Sequence, residues 1–329
     1  MKYNVQFTNQ FKNDLKLAKK QNKNLAIMLL LAMVLLLAAC GGATATAPEE
    51  KTIENVLNSE LVEEKSDELF IGEITEIKLN EVNDNTVNIT KAGEYMLSGS
   101  FEGQIVVNTQ KDSKVKLVLS NAEIKNNDCC ILVMQADKVI LSTEDGSTNS
   151  IICGGDFGAG SKVDGAIYSK DDLQLSGHGS LSISCDGGHG AVSKNDIEIK
   201  NIDLSIKADK KGIKAGDELN MKSGIVNIEA GTEGIEALIV NIEDGTLNII
   251  SGDDGINAAE RNSKPLDEPE VNILGGDITI CAGGDGIDSN GDINISGGSL
   301  IVNEIGGADY QALEADGKCN ITGGKQKLL

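Results

Sequence analysis

The sequence predicts an all-β chain wound as a right-handed, single-stranded parallel β-helix, and three observations carry this. First, one unit recurs between Asp164 and Gly324, opened by Gly165, Gly190, Gly212, Gly234, Gly255 and Gly286 at spacings of 25, 22, 22, 21 and 31. A period in the low twenties marks a stacked array. Second, each unit holds two short runs in which apolar residues alternate, such as Val226/Ile228 and Leu247/Ile249. Alternation of that kind is a strand signal. Third, the runs are divided by glycine turns at Ser223-Gly224, Asp244-Gly245, Gly275-Gly276, Gly297-Gly298 and Gly323-Gly324. No stretch of the repeat has the 3.6-residue period of a helix. Strand, turn, strand, turn at about 22 residues per lap makes one coil of a solenoid. Val226, Ile228, Leu247, Ile249, Ile278, Ile280, Ile293 and Ile295 are expected to point inward, because the apolar positions of every coil must share one core.

From the N-terminus, residues 1–39 read as an export signal. Six lysines precede an apolar run from Leu25 to Ala39, 15 residues long. That is short for a membrane span. The run ends in Leu37-Ala38-Ala39-Cys40-Gly41, which resembles a bacterial lipobox, so Cys40 is expected to carry lipid. An ordinary secretory peptide or an uncleaved anchor is the alternative. Residues 40–70 are polar and acidic and read as a flexible tether. Residues 71–128 carry strand patterns without the strict repeat, including Val87/Ile89, Ile105/Val107 and Val115/Leu117/Leu119, and are expected to form a cap and the first strands. Coils occupy 129–329, interrupted by a polar, proline-bearing loop at 259–270 that accounts for the 31-residue spacing. No capping segment follows the last strand-turn, so the final coil is either open or truncated relative to longer relatives.

Composition restricts the partners. The whole chain has 29 basic and 51 acidic residues. Removing 1–39 takes away six lysines and one aspartate, leaving 23 against 50, a net of −27. Such a surface repels nucleic acid and anionic lipid, so the membrane is expected to be reached only through Cys40. The seven cysteines show no metal-ligand spacing. Cys185 falls in one repeat column with Ala208, Ala230, Ser251 and Ala282, a small inward column, whereas Cys281 is one residue off it and should face out. Cys129 and Cys130, being adjacent, should point to opposite sides if they lie in a strand.

Stacked coils turn repeat columns into physical rows at the strand spacing of about 4.8 Å. The residue before each coil glycine gives Lys211, Glu233, Asp254 and Asp285; two residues after it come Lys214, Glu236, Asn257 and Asp288, and Asp253 lies beside the first row. Oxygen rows flanked by glycine turns suit calcium, which takes six to eight oxygens from carboxylates, amides, carbonyls and water. Solvated turn acids are the alternative, since Asp-Gly is good turn chemistry. Lys207, Lys210, Lys211 and Lys214 cluster around one turn and form a candidate patch for sugar carboxylates; ion pairs with Asp209, Asp217 and Glu218 are the competing expectation. His178 and His189 sit in His-Gly turns and are expected to be exposed. No catalytic residues are assigned, because no nucleophile-base or metallohydrolase motif occurs. Tryptophan is absent and aromatic residues make up 3% of the chain, which disfavours a stacking platform for neutral glycans.

The stretches TVNITKAGEYMLSGSFEGQIVVNT at 86–109 and AIYSKDDLQLSGHGSLSI at 166–183, with the DDGI and DGID turns, resemble bacterial secreted carbohydrate-binding β-helix proteins that are pectate-lyase-like in fold. The resemblance covers about residues 75–324 and implies non-catalytic, calcium-dependent binding of polygalacturonate; together with the lipobox-like stretch at Cys40, the protein is expected to be exported and lipid-anchored on the bacterial cell surface. It carries the metal role onto Glu233, Asp254, Asp285 and Asp288; His189 and Lys211 depart from it where later coils have acids. Two other functions compete. One is a structural stalk or adhesin. The other is a pectate-type lyase, for which Lys214 is the candidate base.

Overall fold

The computed structural model describes residues 73–158, 160–259, 268–304, 307 and 310–328. The signal segment, Cys40, the tether at 40–70 and most of the 259–270 loop lie outside the described residues. What is described is a parallel β-helix of ten coils with three faces. A short face stacks ten strands, from Thr86–Ile89 to Leu313–Ala315. A middle face and a long face make up the rest. One coil, for example, runs Ile235–Ala237 on the short face, Ile239–Ile242 on the middle face and Thr246–Ser251 on the long face. Every strand pairs in parallel with its counterpart one coil away. In the first two coils Gly93–Glu102 and Lys114–Asn126 bend through both middle and long faces, which merges the two into a single ladder there. Coils are numbered 1 to 10 by their short-face strand.

The sequence periodicity shows two strands per coil and the structure has three. The third is the segment just after the coil glycine, only two or three residues long in coils 6 to 10. Ile235 and Ala237 are its inward residues in coil 7. Two inward positions are too few to generate an alternating pattern.

The core is one continuous cluster of stacked aliphatic rows. All eight residues expected to face inward are at most 3% exposed. At about 1.5–3 kcal/mol for each large apolar side chain removed from water, these rows drive the winding of the chain. The coil glycine is a packing requirement. A Cβ at Gly212, Gly234 or Gly255 would lie 2.3–2.4 Å from Cγ2 of Ile228, Ile249 or Ile280 on the long face. The backbone there is ordinary, so space is what selects glycine. Gly234→Val should therefore destabilise by about 1–3 kcal/mol through overpacking, measurable by urea unfolding. The turn glycines obey a different rule. Gly224, Gly245, Gly276, Gly298 and Gly324 have φ between 76° and 111°, a region that other residues rarely enter.

Cys185, Ala208, Ala230, Ser251 and Ala282 are in-register partners and buried, and Cys281 is partly exposed outside that column. Cys129 and Cys130 are not in a strand, yet they diverge. Cys130 enters the main core, while Cys129 lies in a separate apolar cluster with Tyr168 and Val192 on the outside of the short face. The N-terminal end of the core is covered by Leu79, 1% exposed, in a short 3-10 turn after the strand Thr75–Lys78.

Candidate functional site

The outward residues of the short face form two neighbouring rows. Backbone ladders place Lys211, Glu233, Asp254, Asp285 and then Gln311 one behind another in coils 6 to 10. Strand register places Val192, Lys214, Glu236, Asn257, Asp288 and Glu314 in the second row. The surface thus changes along the axis from apolar, through basic, to acidic. Glu314 joins the acidic end although the sequence pattern did not show it. Its coil opens on Ala312 in place of glycine, and so lacks the residue that keys the rows.

The basic coil does not present free lysines. Lys211 Nζ is hydrogen-bonded to Glu233 and lies 2.5 Å from Glu236, and Lys214 Nζ lies 2.7 Å from Glu236. These are enclosed pairs: the Lys211, Glu233 and Glu236 side chains are 14%, 13% and 20% exposed. Burial opposes charge on Lys211, but hydrogen bonds to Glu233 and Glu236 outweigh it and raise its pKa. Burial likewise opposes charge on both glutamates, and the Lys211 ammonium overcomes it and lowers their pKa values. The lysine patch is therefore corrected. Lys207 pairs with Glu229 at 2.6 Å and Lys210 with Asp164 at 3.5 Å, acids that the sequence pattern did not name. Glu233 and Glu236 are likewise corrected, from open cation ligands to acids whose counter-ion is a lysine one coil away.

His189 is also corrected from exposed to buried, at 6%. Its Nδ1 accepts the Lys211 backbone N–H at 3.1 Å and its Nε2 lies 3.4 Å from Asp164 Oδ2. Burial, with Lys214, Lys210 and Lys211 acting in the same sense and Asp164 opposing, pulls its pKa down to about 4. Both nitrogens are occupied, and the neutral imidazole acts as a spacer at the start of the first row. His178 is exposed.

Beyond Lys214 the rows have no cation. Asp254 and Asp285 are each 8% exposed. Asp254 Oδ1 accepts the Asp285 backbone N–H at 2.9 Å, and Oδ2 accepts from Asn257 Nδ2 at 3.2 Å. Asp285 Oδ1 accepts the Gln311 N–H. Burial raises the Asp254 pKa, and Asp253, Asp285 and Glu233 add to it. Burial raises Asp288 to about 6, helped by Asp254, Asp285, Glu314 and Asp316. Glu314 is raised by its hydrogen bond with Asp285 and by that residue's charge. Asn257 Oδ1 is buried and has no hydrogen-bond partner. Asp253 sits at the exposed rim. Among the described residues the acidic end is therefore a group of oxygens short of positive charge, containing one orphaned amide oxygen. Among the described residues no three acidic, histidine or cysteine side chains are already drawn together as a metal shell.

Because Asp288 titrates at about 6 in the fold against an ordinary 3.8, the folded chain binds more protons than the unfolded one between those values. The contribution of Asp288 to stability therefore falls as pH rises through this window. His189, lowered to about 4, acts in the opposite sense between about pH 4 and 6.5, so the Asp288 contribution is read by difference: in chelator, the melting temperature of Asp288→Asn should rise relative to the parent as pH increases from 4.5 to 7. Thermal melts across this range check it.

Elsewhere, outward asparagines stack on the middle face. Asn220, Asn241, Asn272, Asn294 and Asn320 form a ladder with bonds of 2.9–3.0 Å. A shallow groove lined by Asp244, Asp277, Ser299 and Lys325 follows the turn between middle and long faces, away from both rows.

Residues 83–328 match the family described as carbohydrate-binding domain-containing protein. A protein of that description from Acetivibrio thermocellus is 28% identical over 193 residues, covering 56% of this chain and 65% of the relative, so the chain spans just under two thirds of that relative's length. The solved structure of the polysaccharide lyase-like protein from C. thermocellum, a gadolinium derivative, is 26% identical with a TM-score of 0.60; the match covers 77% of this chain and 98% of that one.

Proposed function

Since the chain belongs to the family of carbohydrate-binding domain-containing proteins, we propose that it captures an acidic, polygalacturonate-like polysaccharide through calcium held at the acidic end of the short face. The observation that carries this is the uncompensated group Asp254, Asn257, Asp285, Asp288 and Glu314, with its buried, unpartnered Asn257 oxygen. Coil 6 supplies the contrast. There the same two rows carry lysines, and the next glutamates are satisfied by them. One coil further neither row carries a lysine, and hard oxygen donors fit a calcium ion. Asp254, Asp285, Asp288 and Glu314 would hold it, with Asn257 Oδ1, and Asp253 stands at the rim. Bound calcium supplies the positive charge that lets residues 40–329, of net −27, meet a polyanion. The solved relative's being a gadolinium derivative agrees with this chemistry, since gadolinium is also a hard, oxygen-seeking cation.

The reading is non-catalytic. Lys214, the candidate lyase base, is ion-paired with Glu236, and such a proton acceptor must first be neutral. The description of the solved relative as polysaccharide lyase-like keeps lyase action as the second reading. Export and tethering through lipid on Cys40 complete the proposal, placing the solenoid on the bacterial cell surface.

A single experiment separates these readings. The protein is mixed with polygalacturonate in calcium or in chelator, retention on the polymer is measured, and ultraviolet absorbance of unsaturated products is followed. Retention in calcium only, with no absorbance gain, is expected. Retention indifferent to chelator refutes the cation bridge, and rising absorbance makes the protein a lyase.

A further inference from the structure

Two thiols meet in the core, far from the acidic rows. Cys153 ends the long-face strand Thr148–Cys153 of coil 3, and Cys185 ends Ser180–Cys185 of coil 4. They are in-register partners on adjacent coils, 1% and 2% exposed. Adjacent parallel strands lie about 4.8 Å apart, inside the roughly 4.4–6.8 Å Cα separation that a disulfide spans. Stacked Cβ atoms must still close by about 1 Å to reach disulfide geometry. Both residues sit at the last position of their strands, where the regular ladder ends. We propose that Cys153 and Cys185 form an inter-coil disulfide when the chain folds in an oxidising compartment, cross-linking coil 3 to coil 4. The proposal does not depend on the carbohydrate reading.

The neighbouring cysteines have other engagements. Cys130 Sγ donates to the Ile152 carbonyl at 3.2 Å, and Cys129 Sγ donates to the Ile131 carbonyl at 3.1 Å. Burial pushes the Cys130 thiol up to about 12, with Cys153 adding to it. The Cys153 thiol is lowered instead, the neighbouring Cys185 thiol being the first cause, with burial opposing. Either thiol can begin the exchange, and exchanging the two roles leaves the balance unchanged; with Cys153 as the attacking thiolate, two displacements suffice. The oxidant is a disulfide, either a small molecule or a dithiol oxidase. Cys153 attacks one of its sulfurs and releases one thiolate. Cys185 gives up its proton, attacks the Cys153 sulfur of the mixed disulfide and releases the second. Two cysteine thiols are oxidised and one disulfide is reduced to two thiols, which balances the step.

The test refolds the full chain from denaturant in a mixture of oxidised and reduced glutathione, alkylates free thiols in denaturant, and digests with trypsin without reduction. Cleavage after Lys138, Lys162, Lys170 and Lys194 puts Cys153 in peptide 139–162, Cys185 in 171–194, and Cys129 with Cys130 in a third. The first two peptides should be recovered joined, two hydrogens lighter than their sum, and should separate on reduction. The protein refolded with oxidant should melt at a higher temperature than the reduced protein. Cys185→Ala should abolish the joined species and keep the fold, because Ala208 and Ala230 occupy the same column. Should that variant not fold, Cys185→Ser replaces it, since Ser251 shows that the column accepts a serine. Alkylation of both cysteines after oxidative refolding, or Cys153 joined to Cys130, overturns the proposal.

Discussion

Asp254→Asn combined with Asp288→Asn should make the metal-free protein more stable and at the same time remove its response to calcium. The two effects have one cause. Stacked carboxylates about 4.8 Å apart repel by roughly 1 kcal/mol per neighbouring pair even in a water-like dielectric. Both aspartates are pushed toward their protonated forms, first by burial and then by neighbouring acids, so the fold already resists their charge. An amide relieves that repulsion at almost unchanged shape. Asn at 254 can still accept the Asp285 N–H, and Asn257 can turn its unpartnered oxygen toward the new amide. The melting temperature in chelator should therefore rise. In the parent protein, calcium at a hundredfold over its Kd should add about 2.7 kcal/mol, and in the double variant it should add nothing. Retention on polygalacturonate should be lost with it. Paired melts in chelator and millimolar calcium decide the matter: a full calcium gain in the variant would show that the acids are turn residues and that any cation binds elsewhere.

The solenoid was legible because its physics is repetitive. Each lap must place Val226-type and Ile228-type residues inward and a glycine under the long-face isoleucine, so the same constraint is written at every coil. The rows followed, since stacking converts spacing into proximity. What the spacing could not convey was the partner of each side chain. Lys211 and Lys214 looked like a surface patch, yet parallel register sets them one coil from Glu233 and Glu236, and long side chains reach along the axis. His189 stands in a His-Gly pair that suggests a turn, but the next coil and Asp164 enclose it. The short-face strands escaped notice because two inward residues make no period. Glu314 escaped because Ala312 replaces the marker glycine. The asparagine ladder was present as Asn220, Asn241, Asn272, Asn294 and Asn320, but polar outward residues give no hydrophobic signal.

Lys211→Ala should have the largest effect on stability. Lys211 is the shared cation of two enclosed glutamates, and removing one partner of a buried pair typically costs about 3–5 kcal/mol because the remaining charge is stranded. The pairs of Lys207 and Lys210 are exposed and screened by solvent, so their alanine variants should be nearly silent. Calcium makes the comparison discriminating. With the ammonium gone, Glu233 and Glu236 extend the acidic rows by one coil, and a divalent ion can take over the vacated charge. The destabilised variant should then gain more from calcium than the parent does, and in calcium it should bind polygalacturonate at least as well. A direct lysine–uronate mechanism requires the reverse: binding that falls in Lys211→Ala whether or not chelator is present, and that weakens steadily with salt, since exposed charges are screened over about 8 Å at physiological ionic strength. Urea unfolding and polymer retention, each with and without calcium, separate the two. Calcium rescue would identify Lys211 as the internal counter-ion that ends the cation-binding rows; failure of rescue, with binding lost, would make it the polysaccharide contact.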